Sequence, residues 1–262
     1  FLGFAYNHTT REIRVAEKTL RKLPDEVPEE MPAIELQRLI ARLIFCAGGL
    51  HLPLARFYFA IKSCARLCND LNNGRRLPNE SVRVAASVLR VLRDWNASAR
   101  EPFNFTPRPA GAHAVLYTDA SLSGWGAYLL LPDGRVFING AHWESRGYTS
   151  SDIGMLEAQA VANAVAAFDG LLSQVRNVDI RVDNTSVEAA LGSGSAKAMS
   201  LNEALADTLM LFRQRGWRYT TSYVRSAENL ADAVSRGAES KLLTGDEAVS
   251  VYARRGSVPR WR

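Results

Sequence analysis

Before residue 100 the apolar residues recur mainly at helical spacing, and beyond residue 112 they alternate at strand spacing between helical stretches. FLGFAY and EIRVA flank the polar NHTTR, the pattern of a β-hairpin that leads into the Lys18 to Leu23 segment. After the proline- and acid-rich connector LPDEVPEEMP, Leu36, Leu39, Ile40, Leu43, Ile44 and Ala47 form one stripe of a helix predicted over Ile34 to Ala47. Two more helices are predicted, over about Leu54 to Leu71 and over Ser81 to Trp95. Between them lies NNGRRLPN, whose Asn, Gly and Pro mark a loop.

The prolines of EPFNFTPRPAG, Glu101 to Gly111, disfavour both helix and central strand, so a domain boundary is expected there. Beyond it the order is AVLYTDAS, GWGAYLLL, a PDG turn, VFINGAHW, a helix from about Ser151, the strand VDIRVD, a helix from about Ser200, the strand WRYTTSYV and a short helix near Ala227 to Ser235. Alternating strands and helices make this an α/β domain. Residues 1–108, 109–237 and 238–262 are thus read as a mostly helical region, the α/β domain and a basic tail ending in YARRGSVPRWR.

A chain of 262 residues, 47% hydrophobic and 23% charged, has the composition of a folded soluble protein. It holds no run of eighteen apolar residues, and FLGFAYNHTTREIRV lacks the order of a signal peptide, so neither membrane insertion nor secretion is expected. The three cysteines, Cys46, Cys64 and Cys68, complete no zinc pattern and read as reduced core thiols of an intracellular compartment, cytoplasmic or nuclear. The net charge of +5 divides into +6 up to Arg108 and −1 from Pro109 onward. The first part therefore has the electrostatic bias of a phosphate-backbone binder, although a solvated basic surface would look the same.

Four carboxylates stand out. In VLYTDAS, Asp119 is in line with Val115 and Tyr117, where a buried strand asks for an apolar residue. Glu157 shares a helix face with Val161, Ala164, Val165 and Phe168. Asp183 ends a strand whose Val178, Ile180 and Val182 face one way, at the sheet edge where ligands collect in open α/β folds. Asp232 sits among Leu230, Ala231, Ala233 and Val234. Each alone is explained by a cap or a peripheral ion pair. Together, with no lysine or arginine embedded beside them, they ask for an external cation, and oxygen-only donors select hard divalent ions.

YTDAS with GWGA, then MLEAQA, then VDNTSV, then SAENLADAVSR resembles, in that order, the ribonuclease H domain of retroelement reverse transcriptases, nearest to DIRS-like, tyrosine-recombinase and trypanosomatid elements. The resemblance covers roughly Ala112 to Gly237. It implies a ribonuclease H-like mixed five-stranded sheet with flanking helices, and it matches Asp119, Glu157, Asp183 and Asp232 to the catalytic, metal-holding acids. FLGF followed by a hairpin, a lysine-bearing segment and helices is similar to the end of a polymerase palm running into its thumb or connection. No YxDD motif occurs, so polymerisation is not expected of this chain, which reads as the C-terminal portion of a longer polyprotein.

By the same resemblance two Mg²⁺ or Mn²⁺ ions promote in-line attack on the RNA phosphate of an RNA–DNA hybrid, with Asp232 completing the site. Contacts to phosphate or sugar are expected from Asn184, Thr185, Asn229 and Arg225, although Asn and Thr at such junctions also serve as caps and turns. The loop before Asp232, SYVRSAEN, lacks the histidine that many such enzymes carry there; His8, His51, His113 and His142 lie elsewhere. The short, nearly uncharged Gly192 to Ser200 offers no basic protrusion, which leaves Arg75 and Arg76 of the N-terminal region as candidates to grip the hybrid. Two other readings remain open: a non-catalytic nucleic-acid-binding remnant, and a two-metal nuclease of the same fold acting on DNA.

Overall fold

A computed structural model divides the chain into two units, Phe1–Pro107 and Arg108–Arg262. It describes residues 3–104, 113–144, 147–173, 175 and 177–237. Most of the expected proline-rich boundary and all of the expected basic tail after Gly237 lie outside the described residues.

The N-terminal unit opens with β1 (Phe4–Asn7) and β2 (Glu12–Val15), paired antiparallel as the hairpin around NHTTR. A single turn of helix, α1 (Glu17–Leu20), and a short strand, β3 (Glu30–Pro32), lead into α2 (Ala33–Leu50). The stripe of α2 is buried at Leu36, Leu39, Ile40, Leu43, Ala47 and Leu50, whereas Ile44 falls at its margin and is exposed. A 3₁₀ turn over Leu54–Phe57 precedes α3 (Tyr58–Asn72). The third helix does not begin at Ser81 as its apolar spacing predicts. Ser81–Arg83 instead forms β4, pairing antiparallel with β3, and α4 runs over Ala86–Ser98. The alternating valines of SVRV suit that extended ladder. Finally β5 (Phe103–Asn104) pairs with β2.

The core of this unit lies where α2 meets the 3₁₀ turn and α4. Phe57 and Trp95, both fully buried, stack with ring centres 4.4 Å apart. Cys46 is buried there as expected, but Cys64 and Cys68 are only half-buried, one turn apart on α3 with their sulfurs 3.7 Å from each other.

The C-terminal unit contains β6 (His113–Ala120), β7 (Gly124–Leu130) and β8 (Val136–His142), then α5 (Ile153–Ala167) and the short α6 (Asp169–Leu172). There follow β9 (Asn177–Val182), α7 (Thr185–Ser193), α8 (Met199–Arg215), β10 (Arg218–Tyr223) and the single-turn α9 (Asp232–Ser235). The sheet order is β10-β9-β6-β7-β8, antiparallel across β6-β7-β8 and parallel across β6-β9-β10. This is the ribonuclease H-like mixed sheet with flanking helices that the order of motifs implies.

One face of the sheet carries Ala114, Leu116, Thr118, Ala127, Leu129, Val178, Ile180 and Val182, all buried, and α5 packs on β6 and β7 with α8 against it. Eight of the fifteen residues of α5 are buried, from Leu156 to Val165, including the face that Glu157 shares with Val161, Ala164 and Val165. The other face is half-open and polar. Asp179 accepts bonds there from Arg181, Thr220 and Ser222, and Arg181 donates to the Tyr117 hydroxyl at 2.6 Å. Asp119 belongs to this second face. Asp119 is buried, as its position in the strand suggests, but on the half-open face: Val115 and Tyr117 beside it are half-buried, and Asp119 is only 3% exposed because α9 covers it.

Candidate metal centre

Parallel pairing sets the site. Because β6 and β9 run side by side with Tyr117 opposite Arg181, Asp119 near the end of β6 and Asp183 just past β9 meet at the same C-terminal edge of the sheet. Glu157 reaches that edge from the second turn of α5, where the backbone N–H of Ala120 bonds it. Carboxylate oxygens of Asp119, Glu157 and Asp183 all lie within 4.8 Å of one another, the one cluster of potential metal ligands among the described residues.

The electrostatics show what this costs. Burial, aided by the charges of Asp119 and Asp183, pushes Glu157 up to about 9, and burial, offset in part by the Ser235 hydrogen bond, pushes Asp119 up to about 6. One Glu157 oxygen, Oε2, is buried without a hydrogen-bond partner. Buried carboxyls with raised pKa values and an unsatisfied oxygen, aimed at a common point, fit a hard divalent cation. In the metal-free protein both groups bind protons more tightly folded than unfolded, so their contribution is fully present below the ordinary carboxylate range and is lost as pH rises through about 6 and then about 9. Denaturant unfolding in chelator should give a lower stability at pH 9 than at pH 5, with the difference removed when the acids are replaced by amides.

Asp232 stands apart from the three. It is close enough for its charge to raise Asp119, yet its carboxylate is ion-paired with Arg236 at 2.7 Å. Arg236 is largely exposed rather than embedded among the acids; its guanidinium bonds Asp232, and its charge also acts on Asp119 and Asp183.

The proposed nucleic-acid contacts separate into distinct environments. Asn184 caps α7, its side-chain oxygen accepting from the N–H groups of Ser186 and Val187, while Thr185 is exposed in the first turn. Replacing Asn184 with alanine should cost about 1 kcal/mol, read as a drop of about 2–4 °C in Tm, and Asn184→Ser should restore it. Asn229 is buried; its amide donates to the Thr118 carbonyl at 3.0 Å and lies 3.4 Å from Asp119 Oδ1. Arg225 is exposed at the start of the 3₁₀ turn Ser226–Glu228. In the N-terminal unit Arg75 pairs with Asp70 at 2.9 Å and Arg76 with Glu80 at 3.0 Å. His8, His51, His113 and His142 are exposed and none joins the acid cluster.

Sequence reading missed the serines. Ser226 donates to Asp183 Oδ2 at 2.6 Å, and Ser235 donates to Asp119 Oδ2 at 2.5 Å. Nothing in their local pattern distinguishes them from ordinary turn serines.

No protein-family model matches this sequence, and no curated protein matches it. Among solved structures, ribonuclease H1 from the halophilic archaeon Halobacterium salinarum NRC-1 is similar over 49% of this chain and 96% of its own, with 21% identity and a TM-score of 0.38. LC11-RNase H1, solved with an RNA/DNA hybrid, is similar over 48% of this chain and 95% of its own, with 15% identity and a TM-score of 0.40. A foamy viral protease-reverse transcriptase, also solved with an RNA/DNA hybrid, is similar over 88% of this chain but 30% of its own, with 14% identity and a TM-score of 0.31. The fold assignment rests on the sheet order and pairing themselves.

Proposed function

We propose that this chain is the ribonuclease H-bearing C-terminal part of a retroelement reverse transcriptase, of DIRS-like or trypanosomatid type, and that it hydrolyses the RNA strand of RNA–DNA hybrids. The observation that carries the reading is the cluster of Asp119, Glu157 and Asp183 at the sheet's C-terminal edge, two of the three buried. The motif order supports the retroelement assignment and the helical character of residues 1–108 as a thumb- or connection-like region.

Asp119, Glu157 and Asp183 would hold Mg²⁺ or Mn²⁺, two ions in the working site, with Asp232 completing it. When bound, the ions supply nucleophile activation and positive charge opposite the phosphoryl oxygens. The chain's own groups prepare that site. Ser226 orients Asp183, the Ala120 N–H holds Glu157, and Asn229 ties the loop before Asp232 to the end of β6. Arg225 and Thr185, both exposed, would meet phosphate or sugar in this reading, as would Arg75 and Arg76 once released from their ion pairs with Asp70 and Glu80.

The test is cleavage of a labelled RNA–DNA hybrid in Mg²⁺ or Mn²⁺, with DNA and RNA duplexes as controls. Metal-dependent cutting of the hybrid alone, lost in Asp183→Asn, is the expected result. Cutting of the DNA duplex would replace the hybrid reading with a DNA nuclease. Hybrid binding without any cutting would replace it with a binding remnant.

A further inference from the structure

Asp119 is held from one side by α9. Ser235, 2% exposed, donates its hydroxyl to Asp119 Oδ2 at 2.5 Å, and the same hydroxyl lies 2.9 Å from the backbone carbonyl of Asp232. A serine hydroxyl has one proton, so it serves one of these acceptors at a time. The carboxylate is the stronger acceptor and takes it when Asp119 is charged; the Asp232 carbonyl is the alternative within reach. The seat of the helix is built for this contact. Gly126 lies opposite Asp119 in the ladder, and a Cβ there would come within 2.5 Å of the Ser235 nitrogen and 2.7 Å of the Ala231 carbonyl oxygen. A second serine anchors the helix without touching the acid: Ser121 donates to the Ser235 carbonyl at 2.8 Å.

We infer that Ser235 is a positioning residue for metal binding, aligning the carboxylate of Asp119 and fixing α9, which carries Asp232, against it. The inference rests on the acid cluster being a metal site. A hydrogen bond from a neutral hydroxyl restricts the rotation of the carboxylate and leaves its charge intact, whereas a cationic partner would compete with the ion. With a proton that can turn to the Asp232 carbonyl, Ser235 stays satisfied if Asp119 shifts when an ion binds.

The test is Mn²⁺ titration calorimetry on the full chain, with Tm measured on the same samples. Wild type, Ser235→Ala, Ser121→Ala and Asp183→Asn are compared. Ser235→Ala should weaken Mn²⁺ affinity by about 10-fold, in line with other partners that orient a metal ligand. Ser121→Ala, which loosens the same helix but leaves the Asp119 bond, should lower Tm and leave Mn²⁺ affinity near wild type. Unchanged affinity in Ser235→Ala, or equal loss in Ser121→Ala, would overturn the inference and leave the metal site standing. A wild type that binds Mn²⁺ no better than Asp183→Asn would overturn the site reading and this inference with it.

Discussion

Glu157→Gln is expected to make the metal-free protein more stable while it all but removes the proposed metal-dependent cleavage. The wild-type carboxyl, pushed up to about 9, must take up a proton on folding at any pH between its ordinary value of 4.5 and that raised value. Glutamine keeps the shape and carries no such requirement. The gain should be absent below about pH 4, grow through neutrality and level off near pH 9. At pH 8 we expect about 1–2 kcal/mol, or about 2–8 °C in Tm, measured by thermal unfolding in chelator. Saturating Mn²⁺ should reverse the order, since ligand binding stabilises the wild type by mass action and the variant has lost a ligand. Cleavage should fall by more than about 100-fold, because even groups that merely orient metal ligands cost 10–100-fold. A variant no more stable than wild type at pH 8 would mean that the buried acid is already compensated within the protein.

The acids were legible in the sequence because each breaks a pattern that the fold enforces. Glu157 interrupts the apolar stripe of a helix with eight of its fifteen residues buried, and Asp183 follows three alternating buried residues of β9. The sheet could be read for the same reason: its alternation survives wherever one face meets the helices. Asp119 is buried as its strand position suggests, though not against the main core. Its parity with Tyr117 places it on the open face, and its burial comes from α9, whose Ser235 lies 116 residues further along the chain, beyond anything periodicity reports. The start of α4 was misplaced because the pairing of β4 with β3 joins segments about fifty residues apart, a contact that local spacing does not encode. Ser226, Ser235 and Arg236 were invisible for a related cause: what they do depends on which carboxylate the fold brings opposite them.

Gly126→Ala is expected to disturb the site more than any substitution of similar size elsewhere in the sheet. The added Cβ would stand 2.5 Å from the Ser235 nitrogen, 2.7 Å from the Ala231 carbonyl oxygen and 2.7 Å from the Val234 Cβ. Two of these atoms are backbone, so no rotamer change relieves the overlap and α9 as a whole must lift from β7. Overpacking of this kind costs about 1–3 kcal/mol. Lifting α9 also withdraws the Ser235 hydroxyl and the Asn229 amide from Asp119 and moves Asp232 away, so Mn²⁺ affinity and cleavage should both fall by about 10-fold or more. Gly170→Ala is the matching control: it lies in α6 with nothing within 4 Å of its added Cβ, and alanine there should leave Mn²⁺ affinity unchanged and stability equal or slightly higher. If Gly126→Ala kept both its Tm and its Mn²⁺ affinity, the close seating of α9 would not be what holds Asp119 in place. Loss of affinity with little loss of Tm would instead mean that the helix serves the metal centre more than it serves the fold.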